Sequence, residues 1–222
     1  GLGLAIVPEG RHVFPNLNHV IAAVQAQHIS LEGAPDNLHI LEVRPREGDE
    51  CLESLTVCPS LQDIRLEDCR SLTTIQSLAA CTALRKINLY ECSSLHPDVL
   101  SSLGCCKGLK ELHLQYPKGL PSFDSAPFTH MDDSCCLNLV FDYCSSLINI
   151  SGLSSCPALT RLSIRECPAL SNEAFDVLGS CIGLQSLHLL YLDQLHTIPD
   201  LSACTKLTEF LLHDCNHLSN IS

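Results

Sequence analysis

Fifteen cysteines, eleven histidines and four tyrosines are the residues of this 222-residue chain with the most chemistry to offer. Thiolates attack electrophiles or bind metal, imidazoles move protons, and tyrosine presents a rigid ring with a polar tip. Their spacing narrows the choice. His130, Asp132, Asp133, Cys135 and Cys136 cluster, but no Cys-x-x-Cys pair occurs, so the usual zinc spacing is missing. No nucleophile motif accompanies a Cys–His combination, and Gly-rich phosphate loops are absent. The expectation is a chain that is not an enzyme and holds no catalytic residue, cofactor or metal.

The cysteines fall instead at regular intervals. Residues 156–170 read CPALTRLSIRECPAL, in which Leu162 and Ile164 alternate with polar Arg161, Ser163 and Arg165, the pattern of a short half-buried strand. The same template recurs. Its first leucine falls at Leu38, Leu61, Leu84, Leu109, Cys136 in a leucine slot, Leu159, Leu184 and Leu207, at spacings of 23, 23, 25, 27, 23, 25 and 23 residues. Strand pairs follow in step: Leu41/Val43, Ile64/Leu66, Ile87/Leu89, Leu112/Leu114, Leu139/Phe141, Leu162/Ile164, Leu187/Leu189 and Phe210/Leu212. One cysteine column lies three residues after the pairs, at Cys69, Cys92, Cys144, Cys167 and Cys215, broken by Arg46, Pro117 and Leu192. A second lies three residues before the marker, at Cys58, Cys81, Cys106, Cys156, Cys181 and Cys204. Recurrence at this period signals a solenoid, in which each unit buries its apolar face against its neighbours.

The signature LxxLxLxxCxxL, as in LRKINLYECSSL (84–95) and LTRLSIRECPAL (159–170), resembles the leucine-rich repeat family in its cysteine-containing form. The resemblance covers residues 38–222, about eight repeats. It implies an α/β horseshoe with a parallel concave β-sheet and short helices or irregular turns on the convex side. The longer repeats are similar to those beside F-box segments, and the shorter ones to repeats of plant-type immune receptors. A cysteine in the later column resembles the intracellular subclass, which implies a reduced core and a cytoplasmic location.

Composition agrees with a packed array. Hydrophobic residues make up 45% of the chain and charged ones 17%, with no Trp, so Leu, Ile and Cys must fill the core. Net charge is −12, which argues against nucleic acid because phosphate binding needs a basic footprint. No apolar run approaches the ~20 residues of a membrane span. Eleven cysteines sit in the two inward columns, where a thiol packs as a small apolar group.

Residues 1–37 fall outside the template and read as an N-terminal cap or a degenerate repeat. Leu17, Val20, Ile21 and Val24 recur at helical spacing, predicting an amphipathic helix over roughly 16–28 with Asn16 as its cap. In the 25-residue repeats, 96–106 and 171–181 predict a helical turn or two, with Ser171 as a cap and Glu173 near the positive helix start. Residues 115–135 carry Pro117, Pro121 and Pro127, and two readings stand: a loop bulging from the array, or a degenerate repeat packed by Phe123 and Phe128.

The register defines outward columns. The central one reads Glu42, Arg65, Asn88, His113, Val140, Ser163, His188, Leu211. The next reads Arg44, Glu67, Tyr90, Gln115, Asp142, Arg165, Leu190, His213. The third reads Pro45, Asp68, Glu91, Tyr116, Tyr143, Glu166, Tyr191, Asp214. All four tyrosines fall in the last two. Tyrosine is enriched in binding hot spots, although it also simply favours strands. The candidate partner-binding residues are therefore Tyr90, Tyr116, Tyr143, Tyr191, His113, His188, His213, Arg65, Asp142 and Arg165. Acidic neighbours suggest a protein partner with a basic surface, or serve solubility alone. The expected function is protein–protein recognition through the concave face, as a scaffold, adaptor or substrate-recognition segment of a larger protein. The alternative is a ligand-binding domain of an extracellular or immune-type receptor.

Overall fold

The computed structural model describes residues 4–5, 19–22, 28–30, 38–44, 54–56, 59–96, 99–100, 103, 106–117, 119–123, 129 and 137–219. The metal-like cluster at 130–136 and the prolines at 97 and 127 lie outside them.

Alternation of apolar and polar residues places one short strand in each repeat. These are β4 (Ile40–Val43), β6 (Asp63–Glu67), β7 (Lys86–Tyr90), β8 (Glu111–Gln115), β9 (Leu137–Asp142), β10 (Leu159–Arg165), β11 (Ser186–Leu190) and β12 (Glu209–His213). All pair in parallel, each with the strand of the adjacent repeat, as units stacked along one axis must. The register joins Leu41, Ile64, Ile87, Leu112, Leu139, Leu162, Leu187 and Phe210 in one row. From Leu41 to Leu187 these side chains are at most 2% exposed, whereas Phe210 on the edge strand is 39% exposed. Burying one such leucine fully is worth about 1.5–3 kcal/mol, so the inward row drives the stacking.

The N-terminal stretch corrects the helix expected over 16–28. Its described residues form strands β2 (His19–Ala22) and β3 (His28–Ser30). β2 pairs in parallel with β4, Val20 opposite Leu41, and makes the sheet nine-stranded. β3 lies between β1 (Leu4–Ala5) and β5 (Ser54–Thr56) in a second, three-stranded sheet. The first six strands thus alternate between two sheets along the sequence. A run of four apolar-rich residues cannot be assigned by periodicity alone, and here the parallel ladder with β4 outweighs the helical spacing.

The convex side carries 3-10 segments at Gln76–Ala80, Ser151–Ser155 and Asn172–Ser180, and no α-helix among the described residues. Leu78, Leu153, Phe175 and Leu178 point inward from them. Ser171 does not cap a backbone N–H as expected. Of the irregular segment, Leu120 and Phe123 are buried, Phe123 meets Phe141 edge-on at 5.3 Å, and Phe123 N donates to Asn149 O at 2.8 Å. Its described end therefore packs into the array.

Candidate functional site

Each strand from β6 to β12 is followed at once by a residue with left-handed backbone: Asp68, Glu91, Tyr116, Tyr143, Glu166, Tyr191 and Asp214, with φ between 45° and 56°. Such a conformation costs roughly 1–2 kcal/mol for a non-glycine residue. It is held by the next repeat. Tyr116 N donates to Asp142 O at 3.0 Å, Tyr143 N to Arg165 O at 2.9 Å, and Tyr191 N to His213 O at 2.8 Å. Because Asp and Glu share the corner with Tyr, the strain belongs to the repeat and not to the aromatic residues.

The residue after each corner turns inward. Where it is cysteine, its thiol reaches carbonyls of its own and the preceding repeat: Cys92 to Tyr90 O and Leu66 O at 3.5 Å, Cys144 to Leu114 O at 3.6 Å, Cys167 to Arg165 O at 3.3 Å. These contacts fix the corner beneath its outward side chain. All ten described cysteines are free thiols. Burial pushes Cys156 and Cys181 up to about 12, so they stay protonated at neutral pH and are poor nucleophiles.

Above this rack the aromatic side chains meet. Tyr90 and Tyr116 pack edge-to-face at 5.8 Å between ring centroids, and Tyr116 and Tyr143 stack at 4.5 Å and 15°. The Arg165 guanidinium carbon lies 5.4 Å from the Tyr143 centroid and 5.1 Å from that of Tyr191. Tyr191 in turn meets His213 edge-on at 5.2 Å. Six of the ten candidate residues thus form one continuous row. Beside it, Asp142 is 9% exposed and faces Arg165 at 3.8 Å, an ion pair without a hydrogen bond. Burial raises the Asp142 carboxyl above the usual range, partly offset by Arg165.

The remaining candidates stand apart. His113 lies in the central column between Asn88 and Val140, its Nε2 buried without a hydrogen-bond partner, and burial lowers its pKa. His188 pairs with Glu209 at 3.2 Å. Arg65 belongs to an ion-pair network with Asp63 at 3.2 Å and Glu42 at 3.3 Å, and Arg44 extends it to Glu42 at 2.9 Å. Sequence reasoning missed a groove of about 370 Å³ beside the row, lined by Tyr116, Tyr143, Glu166, Tyr191, Asp193 and Gln194. The Glu166 carboxylate beside it holds the Tyr143 hydroxyl's pKa above its ordinary value. Glu166 was visible in the tyrosine column; Asp193 lies in the turn beyond the strand, where no inward–outward alternation points to it.

No family model matches the sequence, and no curated protein is significantly similar to it. Solved structures are similar in fold. The plant peptide hormone receptor RGFR1, in complex with RGF2, superposes with a TM-score of 0.52 at 15% identity, over 90% of this chain and 36% of that one. The chain folds as a leucine-rich repeat solenoid. The functional domain of InlJ from Listeria monocytogenes, which includes a cysteine ladder, gives 0.48 at 20% identity, over 94% of this chain and 46% of that one. An internalin, InlF, from the same organism gives 0.41 at 14% identity, over 86% and 70%. The leucine-rich repeat array therefore spans less than half the length of the first two.

Proposed function

We propose that this leucine-rich repeat array recognises a protein partner at the tyrosine row of its concave face, as an adaptor or substrate-recognition segment of a larger protein in a reducing compartment. The observation that carries the reading is the row itself, running from Tyr90 to His213 through stacked rings and one arginine. Rings held by their neighbours on a hydrogen-bonded sheet lose little conformational freedom on binding, which favours affinity. Asp142, Glu166 and the net charge of −12 favour a partner with a basic surface. The ten free thiols fit a reducing compartment. In the same reading, residues 1–37 are a degenerate repeat that continues the sheet, supported by the pairing of β2 with β4.

A second reading, a receptor domain for a peptide ligand, is favoured by the fold likeness to RGFR1, which is seen in complex with RGF2.

The test is a peptide library selected against the folded chain. Selected peptides should bind Tyr116→Ala and Tyr143→Ala at least tenfold more weakly than the unaltered chain, the loss of about 1.4 kcal/mol or more expected at a hot spot. Thermal unfolding should stay unchanged. Equal affinity for all three proteins rejects this face.

A further inference from the structure

The groove beside the row has a composition that the row alone does not. Three of its walls are tyrosine rings, from Tyr116, Tyr143 and Tyr191, and two are carboxylates, Glu166 and Asp193. No lysine or arginine lines it. A ring face carries negative potential and attracts a cation within about 6 Å of its centroid. The chain itself shows that these rings accept one: Arg165 sits 5.4 Å from Tyr143 and 5.1 Å from Tyr191.

Arg165 also raises the obvious objection, because its charge should repel a second cation. The local balance answers it. Arg165 faces Asp142 at 3.8 Å and Glu166 at 3.9 Å, and Asp193 adds a third carboxylate. One cation stands against three acids, which leaves room for another positive group. We propose that the groove between Tyr143 and Tyr191 is a subsite for the cationic side chain of a lysine or arginine on the partner protein.

The size fits. A groove of about 370 Å³ is at the small end of ligand pockets, enough for the end of a long side chain but too small for a folded element. The chemistry fits as well. The alkyl stem of a lysine packs on the rings while its ammonium reaches Glu166 and Asp193, so the apolar and charged parts of one residue are both satisfied. A surface of acids serving only solubility would not need rings between them. This subsite rests on the recognition reading above, and its test is separate from that one.

The probe is a blocked Gly-Lys-Gly tripeptide, titrated to millimolar concentration while the tyrosine ring signals are followed by NMR. Blocked Gly-norleucine-Gly, which keeps the stem and lacks the ammonium, is the control. Saturable shifts at Tyr143 and Tyr191 with the lysine peptide, absent with norleucine, are expected. A Glu166→Gln/Asp193→Asn double variant should weaken binding about twofold to thirtyfold, the span of two exposed ion pairs together. Asp176→Asn, an exposed acid on a convex 3-10 segment, should leave it unchanged. No saturable shift, equal shifts with norleucine, or equal loss in Asp176→Asn would overturn the subsite. Any of those results leaves the library experiment standing, so the two ideas fail independently.

Discussion

His113 shows how a single side chain in this face responds to its surroundings. Burial holds its pKa below the ordinary imidazole value of about 6.5, against the opposing pull of Asp142 and Glu111 and with a further push from Lys86. The unfolded chain therefore takes up this proton at a higher pH than the folded one. The contribution of His113 to stability is fully present above about pH 6.5 and is lost as pH falls through that region towards the lower folded value. Asp142 acts in the opposite sense. Its carboxyl is raised by burial, so it favours the folded state only at low pH, and that contribution is lost as pH rises through its folded pKa. Urea midpoints measured from about pH 7 to pH 5 should fall for the unaltered chain and fall less for His113→Gln. An identical slope in both proteins would mean that the imidazole is not buried as described.

At the scale of the element, the repeats are held apart by fixed backbone distances, and close approaches mark where that distance is smallest. Gly179 ends the 3-10 segment Asn172–Ser180 at such a place: a Cβ there would run into the Asp200 carbonyl of the next repeat. At Gly108 the nearest atom to a Cβ would be the Leu84 carbonyl oxygen, at an ordinary 3.9 Å. Gly179→Ala should therefore cost about 1–3 kcal/mol, in the range of overpacking. Gly108→Ala should stay within about 0.5 kcal/mol, as surface changes usually do. Equal midpoints for the two variants in chemical denaturation would show that the convex segments can yield. The cysteine column works on the same scale. The thiols of Cys92, Cys144, Cys167 and Cys215 bridge two repeats through weak S–H···O contacts, and where Pro117 and Leu192 replace cysteine, both side chains are still buried. Packing is thus common to every rung, and the sulfur contact to most.

At the scale of the whole molecule, the ten described thiols are free and cross-link nothing, so the described repeats are held by stacking. Titration of the denatured, unreduced protein should find close to fifteen free thiols. A count far lower would favour the receptor reading over the adaptor. Most of this architecture was legible in the chain because inward leucines recur at 23–27 residues and the strand period of two then fixes which face every neighbour takes. Arg65, His113 and His188 fell in one column for that reason, and the register places them there. Two things were hidden. Val20 and Ile21 sit at helical spacing from Leu17 and Val24, and only the ladder with β4 makes them a strand. Asp193 joins the groove through a turn, whose direction no periodicity encodes. The left-handed corner carries one more consequence. At six of the seven corners the backbone N–H donates to a carbonyl of the following repeat, and Asp, Glu and Tyr all occupy the position. The scaffold has separated shape from vocabulary: seven sockets of one form accept different letters, and rewriting Asp68 or Glu91 as tyrosine would lengthen the aromatic word without touching the grammar of the fold.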